Sequence, residues 1–199
     1  VRLSNAGLSC PDWPTCYGKA AWPTHADQIV DHVATQIRPV DPSKAWREQF
    51  HRMIAGTLGV LVLALALLAT RRRPRGWVHV ITASVAVAVA IPLYMRGMHV
   101  AASALAGAGE LLLLIGVIRW SNTDLARVGT LTLAVIIFQA LLGMWTVTWL
   151  LKPIVVMAHL LGGLLTFSLL TWMAWRGTDI PIRIADAAKL RRLLIVGLV

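Results

Sequence analysis

In this chain of 199 residues, 57% are hydrophobic and only 14% are charged, and the mean hydropathy is +0.69. That composition excludes an ordinary soluble domain, because the apolar residues are gathered into runs long enough to cross a bilayer. A net charge of +10 would suggest nucleic acid in a soluble chain, but here the basic residues flank the apolar runs and read as topology signals.

Residues 1–47 form a polar first segment, and the apolar runs follow it. They predict five complete spans and the start of a sixth, at about 48–70, 77–95, 99–119, 129–150, 153–176 and from 190 onward. The expected fold is an all-α, polytopic transmembrane bundle. Arg71, Arg72, Arg73 and Arg75 lie between the first two spans, Arg119 and Arg127 flank the next basic loop, and Arg176, Arg183, Lys189, Arg191 and Arg192 the last. With loops alternating, all three fall on one side, so residues 177–189 are expected to be a cytoplasmic loop. Residues 1–47 and the turns at Arg96-Gly97-Met98 and Lys152-Pro153 then lie on the extracytoplasmic side. Trp46, Trp145 and Trp149 mark the outer interface, and Trp77, Trp120, Trp172 and Trp175 the inner one. The chain opens at Val1 without Met and stops within an apolar run, so it is expected to be part of a longer protein.

Cys10 and Cys16 bound a short prolyl loop in the first segment. On the oxidising side of a membrane, a disulfide closing this ring is expected. A structural staple is the plainer role, and a redox-active pair is the alternative. Metal binding is disfavoured, because no second ligand pair stands at a zinc-like spacing.

Two histidines carry the chemistry. His51 lies five residues past Trp46 and His159 six past Pro153, in helices expected to enter the membrane from the same side. Each would sit roughly 7–9 Å below its helix start, and paired imidazoles at matching depth suit axial ligation of a haem iron. Ala55 and Gly163 follow one turn deeper on the same faces, leaving room for a flat macrocycle between the helices. Small residues there also serve close helix packing alone.

Three blocks resemble one family. Val1-Arg2-Leu3-Ser4-Asn5-Ala6-Gly7-Leu8-Ser9-Cys10-Pro11-Asp12-Trp13-Pro14 is similar to the first outer loop of haem A synthases. Glu48-Gln49-Phe50-His51-Arg52 with Ala55-Gly56-Thr57-Leu58-Gly59 resembles the second helix of that family. Phe138-Gln139-Ala140-Leu141-Leu142-Gly143-Met144-Trp145-Thr146-Val147, followed by His159, resembles its third and fourth. The resemblance implies one half of a pseudo-repeated eight-helix protein that oxidises a ring methyl of haem O to a formyl group by successive hydroxylations, supplying cytochrome oxidase. It implies haem O as substrate between His51 and His159 in this half, and a haem b cofactor in the second half. It also implies a multi-pass protein of the bacterial inner membrane, working with haem O synthase and an unidentified electron donor, with no nucleic-acid partner. Glu48 would act as proton donor or electrostatic stabiliser at the oxidised carbon; a salt bridge to Arg47 or Arg52, or a favourable charge at the helix start, is its structural alternative. Residues 77–128 depart from the family pattern and read as an added helical hairpin.

The other polar residues say less. His25 and His32 are expected in solvent, and His79 and His99 at the ends of the hairpin. Glu110 falls mid-span, where a carboxylate is a functional candidate by default, and Gln139 is placed to hydrogen-bond across helices. A haem-carrying electron-transfer module remains the second function class. Only the enzyme has use for Glu48 and a Cys loop beside the histidines. A transporter is disfavoured, because no broken-helix pair with acidic partners is visible.

Overall fold

The computed structural model describes residues 8–25 and 41–178, with positions 188 and 192 as isolated helical residues. Its helices are α1 (Pro42–Thr70), α2 (Gly76–Met95), α3 (His99–Arg119), α4 (Ala126–Thr148) and α5 (Pro153–Gly177). All five are long and apolar enough to span a membrane. No strand occurs among the described residues, beyond an isolated bridge between Cys16 and Lys19. The protein is an all-α, multi-pass membrane bundle. The sixth span, the 177–189 loop and His32 fall outside the described residues.

Several boundaries differ from the sequence expectation, α4 for instance beginning at Ala126 rather than 129, and two have a clear local cause. α1 begins at Pro42, six residues ahead of the predicted 48, because Asp41 caps it by accepting from the Ser43 N–H at 3.1 Å. Those first turns are polar, so an apolar run could not mark them. α4 stops at Thr148, where the Leu150 N–H donates to Val147 O and the Leu151 N–H to Thr146 O. That is a Schellman pattern, with Leu150 at φ 51° and Leu151 at φ 60° in the left-handed region usually given to glycine.

α4 is the central helix. Half of its apolar window (50%) is buried inside the protein, against 11–22% for the other four. It packs against α1, α3 and α5, while α2 pairs chiefly with α3 and touches α1. α1 and α5 have no extended contact with each other, although Ala69 of α1 and Met173 of α5 both close on Gly129 of α4. Van der Waals contact must hold these helices, since lipid tails are as apolar as leucine. Small residues allow it. A Cβ at Gly109 of α3 would meet the Ala83 carbonyl oxygen of α2 at 2.7 Å, and one at Gly129 of α4 would meet Ala69 Cβ of α1 at 3.3 Å. Val62, Ala66, Val80, Ala83, Leu113 and Leu133 fill the space among α1 to α4.

At the arginine-rich end, Arg73 grips Asp124 with two bonds of 2.9 Å and donates to the Ser121 carbonyl. Arg176 donates to Asn122 in the same loop. The hydrogen bond from Arg73 holds the Asp124 carboxyl below its ordinary value of 3.8. Its folded value being the lower one, the stabilisation is complete above that ordinary value and is lost as pH falls through the depressed one. Thermal unfolding in detergent should therefore show an acid-side loss below about pH 4 that Asp124→Asn shrinks. The pair is partly exposed, so the effect is expected to be small.

Candidate functional site

Three polar residues in the second and third turns of α1, Glu48, Gln49 and Arg52, hold the cysteine loop in place. Glu48 is only 4% exposed. Its Oε2 accepts from the Ser9 N–H at 2.6 Å and the Cys10 N–H at 3.0 Å, and its Oε1 from Arg52 Nη2 at 2.8 Å. Arg52 Nη1 also donates to the Asp12 and Thr15 carbonyls, at 2.8 and 2.7 Å. Gln49 Nε2 reaches the Ala20 carbonyl at 2.6 Å. Within the loop, Asp12 accepts from Tyr17 N, Gly18 N and the Thr15 hydroxyl. The Cys10 and Cys16 sulfurs stand 2.05 Å apart, buried with Tyr17 and Ala45. Trp13 of the loop meets Tyr94 of α2 edge-on, so the loop rests on two helices.

His51 occupies the adjacent face of α1. Its side is exposed toward the unpaired flank of the helix, together with Ala55 and Gly56. His159 of α5 is half-buried, and the two imidazoles lie within electrostatic reach of each other. Their depths, counted from the helix starts, are unequal: His51 is nine residues past Pro42 and His159 six past Pro153. The difference arises in the polar turns of α1 that carry the loop. His159 Nδ1 is buried and makes no hydrogen bond. Gly56, Gly59 and Gly163 all have open space where a side chain would stand. Two imidazoles on helices without extended contact, with bare backbone at Gly56, Gly59 and Gly163, fit the side-chain requirements of a flat macrocycle ligated at its centre. No cluster of three or more His, Cys, Asp or Glu side chains occurs among the described residues, and a histidine pair needs none.

The remaining candidates scatter. His79 Nε2 donates to the Leu112 carbonyl at 2.6 Å and its ring packs on Trp120, so it ties α2 to α3. His99 sits edge-on to Tyr94. Glu110 is half-buried on α3, with Oε2 buried and unpaired. Gln139 is 8% exposed on α4 and makes no cross-helix hydrogen bond; its Nε2 is buried and unpaired. Sequence reasoning missed the full set of Glu48 partners and the seating of His159 on α4. The blocks Glu48–Arg52 and Gln139–Gly143 carried the only signal for them.

The fold defines a polytopic membrane protein, with His51 and His159 on two of its helices. The family profile described as cytochrome oxidase assembly protein matches residues 1–199. The chain belongs to that family, the haem A synthases its motifs resembled. Among curated proteins it is similar to a heme A synthase of Shewanella oneidensis, 33% identical over 204 residues, covering 100% of this chain and 46% of the relative. It thus spans about half the length of that relative. No solved structure matches.

Proposed function

We propose that this chain is the substrate-binding half of a haem A synthase, holding haem O between His51 and His159 while a ring methyl is oxidised to a formyl group by successive hydroxylations. The observation that carries the reading is His51 on α1 and His159 on α5, each beside glycines of its own helix that leave bare backbone for the macrocycle. The bound haem supplies the iron and the methyl group to be oxidised. The protein supplies ligation, orientation and exclusion of water. His51 and His159 fix the ring plane, and Glu48, one turn before His51, supports the reaction electrostatically. Every contact Glu48 makes is as an acceptor, so donating a proton would first require breaking one of them. The reading extends to a haem b in the second half, and to haem O synthase and an electron donor as partners. It places the protein in a bacterial inner membrane with the cysteine loop extracytoplasmic.

Haem extraction and chromatography from membranes making the full-length protein with a haem O source tests the activity. Haem A is the expected product. Bound haem recovered unmodified would favour the electron-transfer module instead. The loop carries its own prediction. Thiol labelling of the native protein should be negligible before reduction and reach both Cys10 and Cys16 after it. Free thiols in the active protein would overturn the disulfide and its oxidising location together. Replacing both cysteines with Ala should destabilise the fold by roughly the 2–5 kcal/mol typical of a lost native disulfide, lowering the yield of folded protein more than it changes turnover.

A further inference from the structure

Two axial imidazoles fix the plane of a macrocycle but leave it free to turn within that plane. A haem carries two propionate carboxylates on one edge, and carboxylates are disfavoured in the hydrocarbon of a bilayer. His51 and His159 lie nearer the starts of their helices than the ends, so that edge belongs at the end that carries the cysteine loop. Two cations on the same helices stand there. Arg47 is four residues before His51, and both are exposed on one face of α1. Lys152 is the exposed N-cap of α5, seven residues before His159. Each is held over an indole: Arg47 Cζ lies 5.8 Å from the Trp46 ring centroid, and Lys152 Nζ 5.3 Å from that of Trp149. Such a contact positions a charge without neutralising it. Neither cation pairs with a carboxylate among the described residues. The three described carboxylates at this end are engaged elsewhere. Asp12 accepts from Thr15, Tyr17 and Gly18, Asp41 from Ser43 and Lys44, and Glu48 from Ser9, Cys10 and Arg52.

We propose that Arg47 and Lys152 bind the two propionates of the substrate haem, one each, and so set its rotation about the axis through His51 and His159. This rests on the reading of those histidines as axial ligands. The guanidinium can grip a carboxylate with two parallel N–H donors, and the ammonium serves as a point charge on a flexible stem. With the propionate edge held at the cysteine-loop end, the opposite edge is turned toward the middle of the bundle. The same ring methyl then occupies the same position in every turnover. Ligation through the iron alone would let different ring edges share that position.

The test titrates the full-length protein in detergent with ferric haem b and with its dimethyl ester, which keeps the iron and macrocycle but carries no carboxylate. Only the absorbance change that His159→Gly removes is counted, so haem bound elsewhere in the protein does not enter. Wild-type protein should bind the free acid more tightly than the ester by roughly tenfold or more, the scale of charge-assisted hydrogen bonds. Arg47→Gln and Lys152→Gln should each weaken binding of the acid alone, and the double variant should bind acid and ester alike. Arg96→Gln removes a cation from the turn between α2 and α3, off the histidine helices, and should change neither affinity. Equal wild-type affinity for acid and ester would overturn the proposal and leave the ligand assignment standing, as would variants that weaken both alike. An Arg96→Gln effect as large as that of Arg47→Gln would overturn it too, since the cations would then act only as a diffuse surface potential. Haem affinity unchanged in His159→Gly would overturn the ligand reading and this one with it.

Discussion

Substituting Ala for His51 or His159 should reduce haem A formation to background while the protein still inserts and accumulates in the membrane. The expectation follows from how little either ring does for the fold. His51 is exposed and makes no hydrogen bond, and His159 rests on Gly143 with Nδ1 unpaired. Removing either deletes some packing but no structural bond. On the proposed reading its effect on haem is of another order, because each ring would supply one of two ligands and losing one would leave the macrocycle held from a single face. Haem extraction and chromatography from matched membranes gives the product, and immunodetection gives the protein level. Full product formation in both variants would place the site elsewhere.

Glu48→Gln should keep the protein foldable and haem-loaded, yet lower turnover per bound haem by roughly 10²-fold, within the range for lost acid–base or electrostatic help. The amide matches the carboxylate in size but replaces one acceptor oxygen with a donor. Glu48 receives three N–H donors, from Ser9, Cys10 and Arg52. The substituted amide therefore turns an N–H₂ toward at least one of them and leaves Arg52 without its counter-charge. Stability should fall as well, since a buried ion pair stripped of one partner is costly. Turnover normalised to bound haem separates the two effects, and a hydroxylated, partly oxidised haem should accumulate. Wild-type turnover in a fully loaded Glu48→Gln protein would show that the residue only anchors the loop.

The five helices were legible because a membrane span announces itself by apolar length alone. The start of α1 was not, because Pro42 to Arg47 obey capping chemistry rather than lipid solubility. The histidine pair could be read from its position in two similarly directed helices, although counting from Trp46 understated the turns ahead of His51. What stayed hidden depended on distant partners. Nothing near Glu48 in sequence reveals that Ser9 and Cys10, 39 and 38 residues away, will complete its set of hydrogen bonds. Arg73 reads as one more topology charge until Asp124 closes on it from 51 residues away. Gly143 and Gly162 look like ordinary packing glycines until each is seen receiving a polar side chain from the facing helix.

The way the helices pair also implies an order of assembly during synthesis. α2 and α3 are neighbours in the chain, joined by a short turn through Gly97 and pressed together at Gly109, so they can close as a unit as soon as both have emerged. α1 precedes the hairpin in the chain, yet part of its packing lies beyond it: Ala66 and Ala69 face Gly129 of α4, which is translated only after the whole hairpin. Until then α1 has α2 to pack on, through Val62 and Ala66 against Val80 and Ala83, but not α4. The hairpin thus sets a delay between the two histidines, and a chain arrested after Arg119 would carry a finished hairpin beside an α1 packed on one side only.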